Sequence, residues 1–154
     1  MKGTIFKHKV RNLQLRWARK NPQRYLKFLR KIGVKVGDNI AFHGKLSTIS
    51  IDITRPSLVT IGSNVSINGY FNLITHDWGT FVIRNYYHNF IPSSGRETSG
   101  NNVVFGRNVT VLKGVTIGDN CIIGTGAIVT KDIPDKSVAV GVPARVTSTL
   151  EDYF

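Results

Sequence analysis

Few side chains in this sequence can do chemistry, and they are unevenly placed. The four histidines are His8, His43, His76 and His88, and the single cysteine is Cys121. A catalytic zinc is held by about three protein ligands, typically imidazoles. No two histidines here sit as a closely spaced pair, so no metal site is expected. One cysteine cannot form an internal disulfide, which fits a reducing cytoplasm. His76 stands out because Asp77 and Trp78 follow it directly. An imidazole can take a proton from a hydroxyl near neutral pH. The carboxylate can orient an imidazole or an acceptor, and the indole can stack on a sugar face. Against that stands the ordinary role of a lone histidine, a hydrogen-bonded surface or core residue.

Charge is the second chemical signal. Lys and Arg number 21 against 9 Asp and Glu, a formal net charge of +12. Residues 1–37 hold 12 of those cations and no acid, while residues 38–154 hold 9 cations and all 9 acids. The excess therefore sits on an N-terminal arm, which implies an anionic partner or surface near it. The arm reads as two short basic amphipathic helices within residues 7–32, broken near Asn21. Asn21-Pro22 supplies an N-cap and a first-turn proline, and Gly33 a C-terminal cap. Tyr25, Leu26, Leu29 and Ile32 form one apolar stripe, and Val10, Leu13 and Trp17 a weaker one. The apolar faces would cap the next module. The basic faces are either solvated or drawn to anionic lipid or a phosphate-bearing substrate.

From Val36 the period becomes six. Gly-x-Asn between apolar residues recurs at Gly37-Asp38-Asn39, Gly62-Ser63-Asn64, Gly106-Arg107-Asn108 and Gly118-Asp119-Asn120. Phe105, Val111, Ile117, Ile123 and Val129 lie six apart, with Val109, Val115, Cys121, Ala127 and Ile133 four residues after each. Such a period describes short strands joined by tight turns in which Gly or Asn takes positive φ. Stacked repeats of this kind predict a mainly β chain, a parallel β-helix. The expected organisation is a basic helical arm over 1–35, a β-helix over 36–147 and a tail over 148–154. The register breaks between Leu73 and Phe105, so residues of about 76–101 are expected as an extruded loop. Pro134 through Phe154 would cap the second end. Asp52 lies about one coil before His76, and stacked coils are ~4.8 Å apart. It either approaches the acceptor site or caps a turn. No apolar run is long enough to cross a membrane, and no signal peptide is expected.

These residues resemble the hexapeptide-repeat acyltransferases with a left-handed parallel β-helix. The resemblance is nearest to the galactoside, maltose and polysaccharide O-acetyltransferase branch and covers about residues 36–147. It rests on Leu73-Ile74-Thr75-His76-Asp77-Trp78, on Gly114-Val115-Thr116-Ile117-Gly118-Asp119-Asn120, and on Val129-Thr130-Lys131-Asp132-Ile133-Pro134 with Gly141-Val142-Pro143-Ala144-Arg145-Val146. It implies a homotrimer with active sites between subunits and acetyl-CoA as acyl donor. It also implies His76 as general base in direct transfer to a saccharide hydroxyl. Asp52, Asp77 and Trp78 would face the acceptor. Thr130, Lys131 and Arg145 would face the donor, with the last two meeting coenzyme A phosphates. Backbone N–H groups around Gly106-Arg107 and Thr125-Gly126 would hold the pantetheine arm, one near Arg107 stabilising the oxyanion. The sequence departs from the family at Val104-Phe105, where relatives often carry Trp.

The expected function is therefore cytoplasmic O-acetylation of a surface polysaccharide or its precursor in a bacterium, with peripheral contact of the arm at the inner membrane face. The alternatives are N-acetylation of a nucleotide-linked amino sugar and a non-catalytic β-helix scaffold. Xenobiotic acetylation also stays open. Serine O-acetyltransferases carry a large N-terminal helical domain that this sequence does not show. A β-helical zinc carbonic anhydrase would need three gathered histidines. Nucleic acid is not an expected partner, because Trp17, Tyr25 and Phe28 fall at helical spacing where packing explains them.

Overall fold

The computed structural model describes residues 11–89 and 91–154. Lys2, Lys7, His8, Lys9 and Val10 lie outside the described residues. Three parallel strand faces make up the body. One face holds β1 (Lys35–Val36), β4 (Val59–Ile61), β7 (Glu97–Ser99) and β10 (Thr116–Ile117) in that order. The second holds β2 (Ile40–His43), β5 (Val65–Asn68), β8 (Val103–Phe105) and β11 (Cys121–Ile123), and the third β3 (Ser50–Ile51), β6 (Asn72–Leu73), β9 (Thr110–Val111) and β12 (Ile128–Val129). The chain visits the faces in turn, so each coil contributes one strand to each. Val103 pairs with Cys121, and Thr110 with Ile128, each 18 residues on. A parallel β-helix results, as the six-residue period requires.

Of the Gly-x-Asn copies, Gly106-Arg107-Asn108 marks a turn from the second face to the third, with Asn108 at positive φ, and the other three mark the turn from the first face to the second. Asn39, Asn64, Asn102 and Asn120 all take positive φ there. Their side chains bond in pairs up the stack, Asn39 to Asn64 and Asn102 to Asn120, each at 2.8 Å. Gly62 has to be glycine for a different reason: a Cβ on it would stand 2.2 Å from the Gly100 carbonyl oxygen of the next coil. Inside, Ile49, Val59, Ile67, Phe71, Val103, Ile123 and Val129 are wholly buried. Each such aliphatic side chain contributes about 1.5–3 kcal/mol.

Two expectations change here. The extruded segment is shorter than 76–101, because β7 already lies in register between β4 and β10. Its two inward residues are Glu97 and Ser99, both buried, so the apolar period that would have betrayed the strand is missing. The extra length is real nonetheless: Val65 pairs with Val103, 38 residues on. It also contains a helix, α3 (Thr80–Tyr87), none of whose residues is buried. The boundary expected at 147/148 falls inside β14 (Ala144–Thr149), which pairs antiparallel with β13 (Ser137–Gly141). That hairpin and the short α4 (Leu150–Tyr153) close the second end.

Helices α1 (residues 11–18) and α2 (Pro22–Ile32) close the first end. The Asn21 side chain accepts from the N–H groups of Gln23 and Arg24, and Gly33 ends α2 at φ 105°. Tyr25, Leu26, Phe28 and Leu29 pack on the first coil. The weaker stripe does not: Leu13 and Trp17 face outward, and α1 meets the core through Leu15 and Ala18 instead. Arg19 anchors the pair by donating from Nη2 to the Ile49 carbonyl at 2.8 Å. Among the described residues no helix is long and apolar enough to cross a membrane. Substituting Gly62→Ala is expected to cost about 1–3 kcal/mol through overpacking, read as a lower thermal midpoint by circular dichroism.

Candidate active site

The site forms where the third face turns into the first. Strands β3 and β6 pair in register there, with Asp52 N–H donating to the Leu73 carbonyl at 3.0 Å. Asp52 in one coil therefore lies beside Thr75 and His76 in the next. The side chain of Asp52 is 7% exposed. Its Oδ2 accepts from Thr75 N–H at 3.2 Å, from Thr75 Oγ1 at 2.6 Å and from His76 Nδ1 at 2.6 Å. Its Oδ1 accepts from Thr54 N–H at 2.8 Å and Thr54 Oγ1 at 2.7 Å. Burial alone would raise the proton affinity of this carboxylate. The hydrogen bonds from Thr54, Thr75 and His76 outweigh it and hold Asp52 well below the usual carboxylate range. An ionised carboxylate only accepts, so Nδ1 carries the proton and Nε2 is left as the basic nitrogen.

The imidazole of His76 is 30% exposed and lines an open cleft of about 290 Å³ with Thr54, Arg55, Trp78, Thr80 and Ser93. Trp78 is 80% exposed, its ring 6.3 Å from the His76 ring and edge-on to it. Asp77 lines the same cleft, but its carboxylate is engaged within the chain. It accepts from Gly79 N–H at 2.7 Å and Ser93 Oγ at 2.8 Å, and pairs with Lys113 of the next coil. The Lys113 hydrogen bond, then those of Ser93 and Gly79, lower its pKa to about 2. Asp77 thus fastens the two ends of the extruded segment to the coil above. Asp52 sits beside the histidine and caps the Thr54 turn, and both oxygens of Asp77, at the wall of the cleft, already accept hydrogen bonds.

The expected donor residues fall into two groups on opposite edges of the third face. Thr130 and Lys131 follow β12 and share the edge of His76, two coils above it and exposed. Gly106, Arg107, Thr125 and Gly126 form the other edge. There Gly106 N–H donates to the Ile123 carbonyl at 2.7 Å and Gly126 N–H to that of Arg107 at 2.8 Å. Those two N–H groups hold coils together and are not open to an oxyanion. The Arg107 guanidinium lies 4.9 Å from the Tyr70 ring centroid. Arg145 lies in β14 beside Val140, whose side chain crowds Gly124, which puts it above that same edge. One chain alone does not gather the two groups.

The family described as bacterial transferase hexapeptide (six repeats) matches residues 100–131. Protein CapG of Staphylococcus aureus is 38% identical over 129 residues, which span 81% of this chain and 71% of CapG. The chain belongs to the hexapeptide-repeat acyltransferase family. Galactoside O-acetyltransferase of Escherichia coli (strain K12) is 40% identical over 111 residues, 69% of this chain and about half (51%) of that protein. The crystal structure of a maltose O-acetyltransferase from Clostridium difficile 630 superposes with a TM-score of 0.63 at 25% identity, covering 94% of this chain and 87% of that one. The stack is thus the left-handed β-helix of that family.

Within this hexapeptide-repeat fold, the residues that sequence reasoning missed lie under the histidine. Thr75 is wholly buried and donates twice to Asp52. Glu97 is 1% exposed, and neither carboxyl oxygen has a hydrogen-bond partner. Burial, and then the charge of Asp52, push Glu97 up to about 9, so it is neutral at pH 7. A signal was available in Gly100-Asn101-Asn102, a further Gly-x-Asn turn that places a strand just before it. The raised affinity has a sign. Between the unfolded carboxyl near 4.5 and the folded one near 9, only the folded chain holds the proton, so stability falls as pH rises, by up to about 1.4 kcal/mol per pH unit. Glu97→Gln is expected to flatten that slope and to melt higher than the parent at pH 8, measured by thermal unfolding across pH 5 to about 9.

Proposed function

We propose that the protein transfers an acetyl group from acetyl-CoA to a saccharide hydroxyl, with His76 as general base. The observation that carries this reading is the pair of Asp52 and His76, joined at 2.6 Å with Nε2 left for the cleft. Nε2 removes the hydroxyl proton as the oxygen attacks the thioester carbonyl. The tetrahedral intermediate then collapses, the carbon–sulfur bond breaks, and the imidazolium returns its proton to the coenzyme A thiolate. The products are an acetyl ester and coenzyme A. Asp52 keeps the ring in one tautomer and stabilises the imidazolium while it exists. General base catalysis of this kind contributes about 10²–10⁴-fold.

Trp78, bare beside the histidine, is the platform for the sugar ring. Galactoside and maltose O-acetyltransferases among the similar proteins support a sugar hydroxyl as acceptor, in the cytoplasmic assembly of a polysaccharide. Lys131 and Arg145 are exposed cations and suit the phosphates of the donor. They lie on opposite edges of one face, so the donor cleft is completed by a neighbouring copy. The exposed apolar side chains of α3, Phe81, Val82, Tyr86 and Tyr87, are the surface that copy would cover, in the homotrimer the family resemblance implies.

Thiol release from acetyl-CoA with a panel of acceptors tests this reading. The panel holds simple glycosides, a nucleotide-linked amino sugar and serine. His76→Ala is expected to lower kcat by at least ~10²-fold, and Asp52→Asn by at least about 10-fold with the donor KM little changed. Lys131→Ala should instead raise the donor KM several-fold (about 3 to 10). Equal rates for His76→Ala and the parent would sink the catalytic assignment.

A further inference from the structure

The helices that close the first end carry a surface that acyl transfer does not use. Their inner side is buried through Ala18, Tyr25, Leu26 and Leu29. On the outer side Leu13 is 64% exposed and Trp17 56%. Four residues apart on α1, they form one apolar ridge. Arg16 is exposed on the same helix, and Lys20 is exposed in the turn that follows it. On α2, Arg24, Lys27 and Lys31 share with Trp17 the walls of a groove of about 460 Å³. Residues 1–37 contain no acid. Among the described residues none of Arg16, Lys20, Lys27 and Lys31 pairs with a carboxylate.

We infer that this outer face of α1 and α2 docks on an anionic phospholipid bilayer. Leu13 and Trp17 enter the interface, while the cations beside them meet the headgroup phosphates. An apolar ridge flanked by Lys and Arg is how a helix lies in a membrane surface, and each nearby cation adds attraction to an anionic leaflet. An indole favours that level. Charge alone would equally suit a nucleic acid, but the ridge decides against it. A stacking platform needs a bare aromatic face, and the Arg24 guanidinium already lies 4.5 Å from the Trp17 ring centroid. Leu13 offers neither stacking nor a hydrogen bond. No residue of the His76 cleft takes part, so the docking surface stands or falls apart from the catalytic reading.

Flotation of the full chain with vesicles tests it. With roughly 30% phosphatidylglycerol in phosphatidylcholine at ~0.1 M salt, the protein is expected to float, and to partition at least about 10-fold more weakly onto phosphatidylcholine alone. The double variants Leu13→Ser/Trp17→Ser and Lys27→Glu/Lys31→Glu should each lose about 10-fold or more, with thermal midpoints near that of the parent. Should a variant unfold, the comparison of the two lipid compositions still decides. Equal partition onto both vesicles, or full binding by a folded Leu13→Ser/Trp17→Ser chain, overturns the proposal. So does a chain that stays off vesicles but binds single-stranded RNA through the same cations.

Discussion

One buried carboxylate holds the site together. Asp52 accepts five hydrogen bonds, two from Thr54 in its own turn and three from Thr75 and His76 in the coil beside it. An ion taken out of water is costly unless its donors are all in place. Those donors exist only while the two coils keep their register. A slip of one residue would turn Thr75 outward and the wrong face of the strand inward. The asparagine pairs at the turns and the tight Gly62 contact fix the stacking at one corner. The Asp52 cluster fixes it at another. The geometry of the Asp52–His76 pair and the packing of the β-helix are in this sense one constraint.

That constraint also decides what a sequence can show. The six-residue period is written in the residues themselves, because every inward position between Phe105 and Ile133 is apolar and the positive-φ turn residues there are Gly or Asn. It fails at Glu97 and Ser99, where inward residues are polar, and the strand there passes for loop. His76 and Trp78 are legible from their motif. The role of Asp52 is not, since it depends on which coil lies beside which, and 24 residues separate it from His76. The contacts of Asp77 are hidden for the opposite reason. Asp77 adjoins the histidine in sequence, yet its side chain turns to Ser93 and Lys113. Neighbours along an extended chain point to opposite sides, and here the pairing across coils brings Asp52 to His76.

The same logic places the extruded segment. Its two ends meet because His76 bridges Ser94 and Asp77 reaches Ser93, so the long insertion leaves the stack and returns at one point. Loop closure of this kind costs little more as the loop grows. The insertion is free to carry α3, none of whose residues is buried. The basic arm at the first end repeats the pattern. Its inner face is consumed by the core and its outer face keeps bare apolar groups among cations. Both exposed surfaces flank the coils and leave the Asp52 cluster untouched.

Two acids share the interior near the histidine and meet opposite fates. Asp52 is ionised because five donors surround it, and Glu97 is neutral because none does. Ionising Glu97 as well would add repulsion from Asp52 to the cost of its burial. Burial first, and then the charge of Asp52, keep Glu97 neutral, while the anionic form of Asp52 keeps the proton of His76 on Nδ1. A second ionised acid there would repel the first and draw protons into the interior. The interior beneath this site works with one negative charge, and the sequence supplies donors for one.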